Sequence, residues 1–190
     1  MARRGNLYVI SGPSGAGKGT LVARVLGRVP DCWVSVSATT RAPRPGEEDG
    51  VHYFFLSEER FEELVAQGGF LEWAQVHSAK YGTPLASVRE HMDAGEQVIL
   101  EIDVQGAFAV KEKIPECHLV FIDVPSIEEL LARLRGRGTE SEDVIAARME
   151  VARVELSQKE RYDYTVVNDD LERATEELAA YIERQAQSRS

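Results

Sequence analysis

The stretch LYVISGPSGAGKGTLVARVL, residues 7–26, changes character twice within a short span. LYVIS is a short apolar, β-rich run closed by a glycine, the pattern of a buried strand. A glycine-rich loop follows, and then Leu21, Val22, Val25 and Leu26 recur at helical spacing. QVILEIDV (97–104) and HLVFIDV (118–124) are also apolar without alternation, as strands buried on both faces of a parallel sheet are. Helical stretches separate them, and YTVVN (164–168) supplies a last strand before a terminal helix with Leu171, Ala174, Leu178, Tyr181 and Ile182 on one face. Strands alternating with helices predict an open α/β fold, a mostly parallel sheet flanked by helices, with ligands at the carboxyl ends of the strands.

The loop narrows this further. A P-loop reads Gly, four residues, Gly, Lys, then Ser or Thr. Gly12, Gly17 and Lys18 fit, but residue 19 is glycine, and the nearest hydroxyl is on Thr20. The glycines let backbone N–H groups turn toward phosphate oxygens, the helix adds its positive end, and Lys18 adds a full charge. Gly12, Pro13, Ser14, Gly15, Ala16, Gly17, Lys18, Gly19 and Thr20 are therefore expected to hold the phosphates of a nucleoside triphosphate, which the resemblance described below makes ATP. Mg²⁺ is the expected cofactor. Thr20 is its candidate protein contact, direct or through a metal-bound water, because Mg²⁺ keeps several waters.

Net charge is −10 with a pI near 5.0, which disfavours non-specific binding to nucleic acid or an anionic membrane. An anionic ligand therefore needs locally clustered Arg and Lys. Cys32 and Cys117 form neither a metal pattern nor a disulfide framework, and His52, His77, His91 and His118 lack ligand spacing. No apolar run approaches the roughly 20 residues of a membrane span, and the apolar run near the N-terminus is too short for a signal peptide. The expectation is a cytoplasmic protein with small-molecule partners, neither nucleic acid nor membrane, acting as a monomer or weak homo-oligomer.

Two segments interrupt the α/β order. Residues from about 36 to about 90 contain the Pro/Gly-rich turn APRPGEEDG and a helix that Ser57 should cap, and read as an inserted lobe. RLRGRGTESED (133–143) sets Arg133, Arg135 and Arg137 beside Gly136 and Gly138, a composition suited to an arginine-rich lid over a transferring phosphoryl group. The expected organisation is one domain over 1–190: core at about 5–35, 96–135 and 150–184, lobe at about 36–90, lid at about 136–149, and a frayed tail at 185–190. Ser126 and Glu129 offer a capping box. Arg41 and Arg44, three residues apart, can clamp one phosphate. Glu101 and Asp103 end a buried strand, where acidic side chains approach Mg²⁺ through water.

The stretches SVSATTRAPRPGEEDGVHYFF, FLEWAQVHSAKYGT, LEIDVQGA, RLRGRGTES and YTVVNDD, in this order with the P-loop, resemble the guanylate kinase family from about residue 5 to about residue 184. The resemblance implies a P-loop NTPase-type core with a GMP-binding lobe and an arginine lid. It implies reversible transfer of the ATP γ-phosphoryl group to GMP, and to dGMP, without a covalent intermediate. It assigns Arg41, Arg44, Tyr53 and Tyr81 to the GMP phosphate, and Glu72, Ser37 and Asp103 to guanine. Thr83 stands where the family commonly has Ser. Arg133 and Arg137 match the lid arginines, Arg148 one that reaches the transferring phosphate, and Asn168 a position near the adenine. The implied catalytic set is Lys18, Arg41, Arg137 and Arg148. Guanine N1–H and its amine are donors suited to a carboxylate; adenine lacks that pair and would leave Glu72 unpaired, at a cost of several kcal/mol. Other readings are a kinase for another monophosphate or phosphorylated sugar, and a peptide-binding scaffold domain with lost catalysis.

Overall fold

A computed structural model describes residues 4–76, 78–136 and 141–188. Along the chain run β1 (Leu7–Ser11), α1 (Lys18–Leu26), β2 (Cys32–Val34), β3 (Ala38–Thr39), β4 (Phe54–Phe55), α2 (Glu58–Ala66), β5 (Phe70–Val76), β6 (Ala79–Pro84) and α3 (Leu85–Asp93). Then follow β7 (Gln97–Glu101), α4 (Val104–Lys113), β8 (His118–Asp123), α5 (Ile127–Gly136), α6 (Glu142–Leu156), a 3-10 turn (Lys159–Arg161), β9 (Tyr164–Val167) and α7 (Leu171–Ser188).

The central sheet has the order β2-β7-β1-β8-β9, with every pairing parallel. Its apolar runs lack alternation because both faces are covered. Tyr8, Ile10, Ile99, Val120 and Ile122 pack on one side with α1, α5, α6 and α7. Leu7, Val9, Val98, Leu100 and Leu119 pack on the other with α3 and α4. Each fully buried aliphatic side chain contributes about 1.5–3 kcal/mol relative to exposure, so the three middle strands anchor everything at their ends.

The lobe between β2 and α3 carries its own sheet, β4-β3-β6-β5, in which β3 pairs antiparallel with β6 and β6 with β5. Its small core stacks Phe61 of α2 on Phe70, with ring centroids 4.4 Å apart. Ser57 accepts from the Arg60 N–H and caps α2. Of the capping box at α5, Ser126 Oγ does accept from Glu129 N, but the Glu129 carboxylate turns outward to Arg133. The tail expected to fray continues α7 as far as Ser188. Gln185 and Ala186 stay half-buried, so packing extends the helix past its strongest apolar face. Among the described residues no helix is long and apolar enough to cross a membrane. The two thiols are free, and burial pushes both up to about 11.

Candidate active site

The loop after β1 is pinned from below. Ala16 N bonds the Pro13 carbonyl, and Asn168 Nδ2 donates to the Ala16 carbonyl at 2.7 Å. Gly17 caps α1 at φ 87°, and a Cβ there would stand 2.6 Å from Asn168 Nδ2. Left-handed geometry and this close approach together require glycine. Lys18 folds back over the loop, with Nζ donating to the carbonyls of Gly12 and Pro13 at 2.6 and 3.1 Å. Arg148 reaches the same loop from α6, donating to Ser14 Oγ at 3.0 Å. The loop is thus held in a cradle shape by backbone turns, a buried amide and two cations.

Residue 19 gains a physical account. A side chain at Gly19 would point at Glu101, whose carboxylate oxygens lie 3.6 and 3.7 Å from the position of a Cβ. Thr20 is exposed and follows one residue later, a rotation of about 100° around the helix. Its hydroxyl therefore does not occupy the space a residue-19 hydroxyl would fill.

The second half of the site lies in the lobe. A cavity of about 410 Å³ is lined by Ser37, Arg41, Arg44, Tyr53, Glu72, Tyr81, Glu101 and Asp103, together with Glu47. Arg41 makes a two-bond pair with Glu47, both contacts at 2.9 Å, and its guanidinium lies 5.4 Å from the Tyr53 ring centre. The Arg41 guanidinium, helped by the Arg44 N–H, brings the Glu47 carboxyl down to about 2. Tyr53 and Tyr81 meet edge to face at 6.0 Å. Sequence reasoning missed Glu47. Its signal was an acidic residue six positions beyond Arg41 in the same tight turn, read there only as turn composition.

Glu72 and Asp103 face the same cavity from β5 and the start of α4. Thr83 does not line it: the residue is fully buried and donates its hydroxyl to Glu72 Oε1 at 2.6 Å. Desolvation raises the Glu72 pKa most, the Thr83 hydrogen bond opposes it, and Asp103 adds to the rise. Asp103 caps α4, its Oδ1 accepting from Gly106 N at 2.8 Å. Glu101 ends β7 beside the P-loop; its pKa is raised by desolvation and pulled back by Lys18.

Not every candidate faces a substrate space. Asn168 is buried beneath the loop, and its carbonyl accepts from Arg133 Nη2 at 2.8 Å. Arg133 is also tied to Glu129. Arg135, outside the candidate set, makes a two-bond pair with Glu142, joining the end of α5 to the start of α6. Arg137 and His77 lie outside the described residues. Among the described residues no group of three His, Cys, Asp or Glu is placed to hold a metal.

A phosphate cradle at the carboxyl edge of a parallel sheet, facing a second cavity of arginines and carboxylates, defines a P-loop nucleotide kinase. The family model described as guanylate kinase matches residues 4–185. A guanylate kinase from a Synechococcus species is 51% identical over 186 residues, covering 98% of this chain and 100% of the relative. One from Streptomyces coelicolor is 52% identical over 177 residues, covering 93% and 90%. The crystal structure of guanylate kinase from Anaplasma phagocytophilum aligns with a TM-score of 0.77 at 32% identity, over 97% of this chain and 88% of that one. The chain belongs to the guanylate kinase family.

Proposed function

We propose that the P-loop holds ATP and the lobe cavity holds GMP, so that the phosphoryl group passes directly between them: MgATP + GMP ⇌ MgADP + GDP. ATP:GMP phosphotransfer is the activity of the family to which the chain belongs, and it is the activity of this chain. The observation that carries the site reading is the lobe cavity, which puts two arginines at one wall and the Glu72–Asp103 pair at another.

In this reading Arg41, Arg44, Tyr53 and Tyr81 bind the GMP phosphate. The incoming phosphate competes with Glu47 for Arg41, so the arginine is kept oriented before substrate arrives. Glu72, with one oxygen committed to Thr83, turns the other toward guanine N1–H and the amine. Asp103 and Ser37 complete the base site. dGMP presents the same base and phosphate and is a second acceptor.

On the donor side, main-chain N–H groups of the loop, Pro13 having none and Ala16 N–H bonding the Pro13 carbonyl, take the ATP phosphates together with Lys18. Arg148 is placed to move from Ser14 to the transferring group, where Arg137 and Arg133 serve as lid arginines. Asn168 supports the loop from beneath, next to the adenine end. Negative charge spread over the moving phosphoryl oxygens is what these cations stabilise, and no covalent intermediate is needed.

The family uses ATP with Mg²⁺. The donors fit a cation held chiefly by phosphates and water: oxygen donors only, from Glu101 beside Gly19 and Thr20 at the helix start, with no cluster of His, Cys, Asp or Glu among the described residues to cage it. When bound, Mg²⁺ neutralises phosphate charge.

A coupled ADP-release assay with GMP, AMP, UMP and CMP tests the reading. GMP-dependent turnover well above the other three is expected, with dGMP also active. Turnover without preference for GMP would sink the assignment of the lobe cavity.

A further inference from the structure

Helix α4 meets the Glu72 and Asp103 carboxylates at its start and the backbone that carries Glu72 at its end. At its start, a Cβ built on Gly106 would stand 3.3 Å from Glu72 Oε2, 3.5 Å from Asp103 Oδ1 and 3.2 Å from Ile102 Cδ1. The Ile102 methyl can swing aside. Glu72 cannot easily retreat, because its other oxygen is held by the buried Thr83 hydroxyl at 2.6 Å. Asp103, at 3.5 Å, would be in ordinary contact and stays where it caps the helix on Gly106 N, so the tight contact falls on Glu72. At its end, Lys113 reaches across to the lobe, and its Nζ donates to the Leu71 carbonyl at 2.7 Å. Leu71 precedes Glu72 on β5, so this bond fixes the backbone from which the carboxylate projects.

We propose that Gly106 and Lys113 are positioning residues for base selection: the bare Cα of Gly106 leaves the space the Glu72 carboxylate occupies, and Lys113 fixes the strand that carries it. The core helix, and not the lobe alone, thereby sets where guanine N1–H and its amine find their acceptor. A shift of a few tenths of an ångström matters here because a hydrogen bond weakens steeply with misalignment. This inference rests on the reading of Glu72 as the guanine acceptor.

The test measures KM for GMP, for inosine monophosphate and for ATP in Gly106→Ala, Lys113→Met, Glu72→Gln and the Gly106→Ala/Glu72→Gln double variant. Inosine monophosphate keeps N1–H but lacks the amine, so its ratio to GMP reports base reading and not general fitness. Gly106→Ala is expected to raise KM for GMP about 10-fold, within the range of a misfitted polar site. It should narrow the GMP preference over inosine monophosphate and leave KM for ATP unmoved. In the Glu72→Gln background the alanine should add almost nothing to the loss of base preference, because the charged acceptor whose placement it perturbs has already been replaced by an amide of the same shape. Lys113→Met should act in the same direction more weakly, and it decides the matter if Gly106→Ala fails to fold. Folded variants with unchanged GMP preference would overturn the inference, even while Glu72→Gln loses it. Failure of the parent enzyme to prefer GMP, or of Glu72→Gln to weaken it, would instead overturn the reading of Glu72.

Discussion

The two halves of the site are built from different materials. The P-loop is a backbone structure: the phosphate donors proposed for it are main-chain N–H groups, its shape is enforced by glycines, and a buried amide from Asn168 holds it from below. The lobe cavity is a side-chain structure. Its charge comes from Arg41 and Arg44, the base acceptor proposed for it is Glu72, and Arg41 already has a carboxylate partner in Glu47. Backbone donors suit phosphates that every nucleoside triphosphate shares. Side chains suit the choice of one acceptor, because each can be exchanged separately and each sits on a different strand or turn.

The difference can be broken at its strongest point first. Lys18→Met removes one of the two cations on the loop but leaves Arg148 and the backbone donors in place. It is expected to lower kcat by about 10²–10³-fold, as loss of a transition-state donor does, while KM for ATP changes little. Steady-state kinetics with both substrates varied will check this. An equal loss of ATP affinity would mean that side chains dominate both halves.

Asn168→Ala is the next largest. It leaves the Ala16 carbonyl without its buried partner, worth about 1–3 kcal/mol. A lower melting temperature and a severalfold rise in KM for ATP are expected, with KM for GMP unaltered. A rise in KM for GMP instead would place Asn168 in the wrong half.

The smallest effect separates the two halves by pH. The Glu47 carboxyl titrates at about 2 in the folded chain against an ordinary 4.5, so the Arg41 partnership stabilises the lobe fully above 4.5. That contribution is lost as pH falls from 4.5 through about 2. The difference in melting temperature between the parent and Glu47→Gln should therefore shrink over that interval. A constant difference would show that the pair does not act through charge.

Sequence reading succeeded where local pattern fixes structure. The non-alternating runs became β1, β7 and β8 because a strand covered on both faces has no polar side to display. The glycine spacing located the cradle for a similarly local reason. It was incomplete wherever a residue's partner lies on another element. Thr83 reads as a candidate ligand; the register Glu72↔Thr83 between β5 and β6 sets it beside the carboxylate, with its hydroxyl committed to Glu72. Asn168 and Arg133 are both polar and near the donor site, but only the packed loops show Asn168 turned to Ala16 and Arg133 to the Asn168 carbonyl. Glu47 illustrates the same limit at short range, since a turn composition does not say which cation its acid will face.

The pairing of β1 with β7 sets Ile10 opposite Glu101, so the strand that launches the P-loop and the strand that ends in Glu101 and Asp103 stop side by side. Glu101 therefore stands beside the P-loop by the count of residues in two adjacent strands. One residue added to β7 would invert which way Glu101 faces and carry it about 3.3 Å along the strand, while Glu72 and the arginines are carried by the lobe's own strands and turn. Mutations can tune the lobe freely, but the placement of Glu101 against the loop is inherited from the sheet.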